Sequence, residues 1–112
     1  GDASGRRASH MHHEIGHALQ RMGVRALSES DVSGFPADLT VPSMSIIVEA
    51  DGPSHFARNT GDPLGPTVFR RRLLRQLGWR TVSVSLAEWE NARGQQGRAE
   101  LLERKFEDAI GN

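Results

Sequence analysis

The chain has 112 residues, 37% hydrophobic and 25% charged, with 14 Lys and Arg balanced by 14 Asp and Glu and no cysteine. That size suits one compact domain with one modest core, and the lack of cysteine excludes disulfides and thiolate metal sites. No apolar run approaches the roughly 20 residues of a membrane-spanning helix, and no secretory leader pattern is visible.

Residues 1–8 are small, polar and basic and read as a flexible leader or expression remnant, ahead of a single domain over 9–110. Ser9 is placed to cap a first helix in which Met11, Ile15, Ala18, Leu19 and Met22 form one stripe, with Gly23 as its stop. Residues 24–34 read as a short strand or loop. Phe35 to Val41 is a candidate strand, with Pro36 marking an edge or a late start, and Pro42 and Ser43 make a turn. Ser45 to Asp51 is the strongest strand: Ile46, Val48 and Ala50 share one face, and Ile47, Glu49 and Asp51 the other.

Residues 52–65 form a connection longer than most, which points to a functional loop. Pro66 suits the first turn of a helix that runs to about Leu77 and ends at Gly78. Phe69, Leu73, Leu74 and Leu77 define its apolar side. Arg70 falls inside that arc, and Arg71, Arg72 and Arg75 fall outside it. Trp79 to Ser85 alternates as a strand. Ser85 and Glu88 form a capping box for a short helix carrying Leu86 and Trp89. Residues 93–97 break the chain before a last helix, about Arg98 to Ile110, with Leu102, Phe106, Ala109 and Ile110 on one side. Both tryptophans read as core residues, so no dedicated aromatic platform for base stacking is expected. This order predicts an α/β domain: a small central mixed sheet flanked by helices.

Charge is segregated along the chain. Glu29, Asp31, Asp38, Glu49 and Asp51 occupy a stretch without Lys or Arg, and Arg58, Arg70, Arg71, Arg72, Arg75 and Arg80 then face Asp62 alone. Lys105 is the only lysine, and arginine is the cation that grips phosphates in a bidentate way and stacks on bases. Glu49 and Asp51 end an otherwise apolar strand, where burying like charges is costly unless a cation cancels them. With Asp38 on the neighbouring strand they form a candidate Mg²⁺ or Mn²⁺ site, and His55 is a candidate base. Ion pairs with arginines of the next helix fit the same residues equally well. His13-Glu14-Ile15-Gly16-His17 matches the helical zinc-protease pattern. Its histidines, however, lie opposite the apolar stripe, and the extended motif is absent, so protease chemistry is not expected.

The run Ile47-Val-Glu-Ala-Asp-Gly-Pro-Ser-His-Phe56 is followed by Asn59, Leu64-Gly-Pro-Thr67, Arg71-Arg-Leu-Leu74, Leu77-Gly-Trp79, Val82-Ser-Val84 and Glu88-Trp89. In that order these segments resemble the RAP domain, an RNA-binding domain abundant in apicomplexans and found in organellar RNA-processing proteins. The resemblance covers about residues 9–108. It implies a restriction-endonuclease-like fold, similar to the very short patch repair branch. In that pattern Asp38 matches the first acid and Glu49 the second, while Asp51 takes the place of the lysine that activates water.

The resemblance further implies RNA as partner (an organellar mRNA or rRNA), a mitochondrion or chloroplast as location, and a helical-repeat region upstream. No membrane or small-molecule substrate is expected. On the binding reading His55, Arg58, Asn59, Arg70, Arg71, Arg72 and Arg75 hold RNA and no cofactor is required. The alternative is an endoribonuclease in which Asp38, Glu49, Asp51 and His55 are catalytic and Asp38, Glu49 and Asp51 carry Mg²⁺ or Mn²⁺.

Overall fold

The structure is a computed structural model that describes residues 3–32, 34–51 and 65–111. Helix α1 (Ala3–Arg21) leads into strands β1 (Leu27–Val32), β2 (Phe35–Val41) and β3 (Ile46–Asp51). Helix α2 (Gly65–Gln76), strand β4 (Arg80–Ser85), and helices α3 (Leu86–Asn91) and α4 (Gly94–Gly111) follow. The four strands form one sheet in the order β1-β2-β3-β4. The first two pairings are antiparallel, and β3 and β4 run parallel. A parallel neighbour needs a crossover between the strands, and α2 lies in that connection. This is the mixed α/β arrangement expected from the sequence.

The alternation of β3 divides the core in two. Ile46, Val48 and Ala50 join Leu39, Val41, Val82 and Val84 beneath Met11, Ile15 and Leu19 of α1, Trp89 of α3, and Leu102 and Phe106 of α4. Ile47 faces the other way and clusters with Val32, Ala37 and Leu74 of α2. One face of the sheet therefore carries α1, α3 and α4, and the other carries α2. The short α3 starts from the capping box read in the sequence: the Glu88 N–H donates to Ser85 Oγ at 3.2 Å, and the Ser85 N–H donates to Glu88 Oε2 at 2.7 Å. Gly23 and Gly78 sit at φ +80° and +95° after α1 and α2. Glycine reaches that region without a Cβ penalty, which makes both natural helix stops.

Several sequence expectations need correction. Helix α1 begins at Ala3 and runs through Ser9, so Ser9 does not cap it. Helix α4 begins at Gly94, which makes residues 94–97 its first turn instead of a break. Ile110 is exposed, and Leu101 is buried in its stead. The apolar arc of α2 is narrower than its wheel suggests: Leu74 is buried at 1% exposure, while Phe69 and Leu77 are 61% and 56% exposed. Helix α2 covers a small cluster with few partners, so a single leucine suffices there. Trp89 is buried as expected, but Trp79 is only half-buried.

This distribution predicts an unequal outcome in α2. Leu74→Ala should lower unfolding free energy in urea by about 2–5 kcal/mol, whereas Leu77→Ala should change it by no more than about 0.5 kcal/mol. Similar losses at both positions would contradict the placement of α2.

Candidate nucleic-acid interface

Glu49 is 3% exposed on the α2 side of β3, where a lone carboxylate is expensive to bury. Arg70, from the first half of α2, meets it with an ion pair to Oε1. The α2 crossover returns the chain over the face on which Glu49 lies, and the helical phase aims Arg70 inward one turn ahead of Leu74. Arg70 keeps 21% side-chain exposure. From within the apolar arc it thus faces the carboxylate.

Asp38 is half-buried, and its Oδ2 accepts the Ala50 N–H at 2.9 Å. That N–H lies beyond the last β2–β3 pair, Leu39 with Val48, so the carboxylate extends the ladder by one bond. The backbone of Asp51 pairs with Ser85 at the end of β3, but its side chain lies outside the described residues. So do His55, Arg58 and Asn59. Of the candidate acids, the structure therefore places Asp38 and Glu49, both with defined structural partners. Burial of Glu49 requires no metal ion, because a guanidinium already supplies the positive charge.

The remaining arginines of α2 fan away from this pair. Arg71 donates to Ser83 Oγ on β4, and Arg72 and Arg75 are exposed. Arg71 and Arg75 line a hollow with Arg80 and Thr81 on the margin of β4, which is an edge strand. Two residues that sequence reasoning left out of the interface belong to the same margin. Arg80 opens β4, and Lys105 reaches over from α4 to donate to the Ser83 carbonyl at 2.7 Å and pair with Glu88 at 2.8 Å. Arg80 continued the basic stretch and was legible as such. Lys105 was not, because only the tertiary fold brings α4 alongside β4.

The protease-like motif resolves into architecture. Glu14 accepts from Trp89 Nε1 at 3.4 Å and from Arg98 at 3.0 Å, and the Arg98 guanidinium lies 4.5 Å from the Trp89 ring centroid. Its carboxylate thus ties α1 to α3 and α4. His13 and His17 are exposed.

With this geometry in place, comparisons with known proteins agree with the sequence resemblance. The family model described as "RAP domain" matches residues 48–105, just over half of the chain. The span runs from mid-β3 through α2, β4 and α3 into α4, and so contains both the Glu49–Arg70 pair and the arginine row. A "RAP domain-containing protein, chloroplastic" from Oryza sativa subsp. japonica is 41% identical over 91 residues. The match covers 81% of this chain but 14% of that relative, so the chain spans a small part of the relative's length.

The buried pair makes a stability prediction. Arg70→Met leaves Glu49 without its guanidinium and should cost about 3 kcal/mol in urea unfolding, the low end for a buried pair because Arg70 retains some solvent contact. The double variant Glu49→Met/Arg70→Met should recover part of that loss. A single variant as stable as the parent would show that the pair does not bear on folding.

Proposed function

The chain belongs to the RAP domain family, and on that premise we propose that it is an RNA-binding domain of an organellar RNA-processing or ribosome-associated protein. The observation that carries this reading is the guanidinium row of α2. One of its arginines is committed to the interior and the others are turned toward the β4 margin and solvent. A binding module needs a basic surface whose side chains are positioned by the scaffold yet reachable by phosphate, and Arg72 and Arg75 meet both conditions. Arg71, anchored at Ser83, adds a third guanidinium to the row. His55, Arg58 and Asn59, which precede α2 in sequence, extend the proposed contact surface, and Arg70 acts mainly by holding α2 in place.

Binding requires no cofactor. Such a module binds RNA without cutting it. Asp38 and Glu49, two of the acids that a nuclease would devote to Mg²⁺ or Mn²⁺, are engaged with a backbone N–H and with Arg70. The mixed sheet with acids at these positions is compatible with descent from the restriction-endonuclease plan, with its chemistry given up. The chloroplastic relative supports a plastid location, and a mitochondrial one fits the family equally well. In a longer protein, an upstream helical-repeat region would supply sequence choice, leaving this domain to grip the backbone of an organellar mRNA or rRNA.

Binding of single-stranded RNA should weaken with salt, with log Kobs falling linearly against log salt by about 0.7 per phosphate contact. Arg72→Gln should weaken binding uniformly across sequences and flatten that slope by about one contact. The check is fluorescence anisotropy across a salt series. Unchanged RNA affinity in Arg71→Glu/Arg72→Glu/Arg75→Glu would overturn the reading.

A further inference from the structure

The half-burial of Trp79 departs from the core role that its sequence context suggested. Its backbone is fixed, since its N–H donates to the Leu74 carbonyl at 2.9 Å and closes the end of α2. Its ring packs against the small cluster of Val32, Ala37, Ile47 and Leu74. The same side chain also lines an open hollow on the β4 margin with Arg71, Arg75, Arg80, Thr81 and Ala109. Three guanidinium groups and an indole thus share one concave surface, and none of its described lining residues is a carboxylate.

A second hollow continues along β4, sharing Arg71, Thr81 and Ala109, and is walled by Ser83, Lys105 and Asp108. Here Lys105 is engaged by Glu88 and the Ser83 carbonyl, and Asp108 adds a negative charge. The two hollows therefore differ in character. The first favours an anion beside a flat aromatic surface, and the second is close to charge-balanced.

We propose that the Trp79 hollow is a nucleotide subsite for one residue of single-stranded RNA, with the base against the Trp79 indole and the adjoining phosphate on Arg75 and Arg80. This rests on the RNA-binding reading above and adds a base contact to it. Phosphate contacts alone ask only for positive charge. An aromatic side chain placed among guanidinium groups gives a base a face to stack on, a contact that tolerates different bases. A base inside a duplex does not present that face, so the hollow selects unpaired RNA.

The test uses Trp89→Phe, which leaves Trp79 as the sole tryptophan and touches no residue of the hollow. Its emission is titrated with single-stranded RNA of roughly eight nucleotides, with a 5′-mononucleotide and with duplex RNA. Anisotropy of labelled RNA is followed in parallel. The expected result is saturable quenching by the single strand at the concentrations that saturate anisotropy, with weaker quenching by the mononucleotide and by duplex. Arg80→Gln should shift the quenching curve to weaker binding. Trp79→Leu should weaken strand binding by about tenfold, and Trp79→Phe by less. If Trp79→Leu does not fold, the titration of Trp89→Phe still decides. Binding by anisotropy without quenching, and with Arg80→Gln unchanged, would remove the subsite while leaving the α2 surface intact. No binding of any RNA would overturn both.

Discussion

The ion pair between Glu49 and Arg70 is the constraint around which this domain is arranged. A carboxylate 3% exposed at the end of a central strand cannot remain without a counter-charge, and Arg70 provides it from the crossover helix. Helix α2 has little else to hold it: Leu74 is its one fully buried residue among those described, and Phe69 and Leu77 stand in solvent. The pair therefore sets the rotation of α2 about its axis. Once that phase is fixed, Arg71 falls over β4, and Arg72 and Arg75 face outward. The basic surface follows from a buried acid.

The same pairing engages one of the acids that a nuclease would use. Here Asp38 extends the sheet ladder to the Ala50 N–H, and Glu49 is met by a guanidinium. Of these two acids, Glu49 is the one that seats the arginine-bearing helix. The opposite face is built on similar lines. Glu14 gathers Trp89 and Arg98, so that a pattern resembling zinc-protease chemistry fastens three helices together.

Much of this was legible in the sequence because the local signals were strong. The alternation of Ile46 to Asp51 gave β3 and both of its faces, the capping box at Ser85 and Glu88 gave the start of α3, and Gly23 and Gly78 marked helix ends. The acids were identified as a pair in need of a cation, with Arg70 among the candidates. The errors came where periodicity alone had to stand for packing. A helical wheel cannot report how wide the underlying cluster is, so Phe69 and Leu77 were read as buried. Trp79 lies just ahead of β4, so the strand alternation that includes it in the sequence does not report its half-burial. Lys105 and Asp108 join the β4 margin only through the placement of α4, which no local pattern encodes.

On the proposed reading, Arg70 serves the fold while its neighbours on α2 and β4 serve RNA. The most direct test follows the arginine Nε–Hε resonances by NMR as single-stranded RNA is added. The account predicts a slowly exchanging Arg70 signal that stays in place while those of Arg72, Arg75 and Arg80 shift and saturate together. An Arg70 signal that moves with the others, or exchanges as freely as theirs before RNA is added, would contradict it.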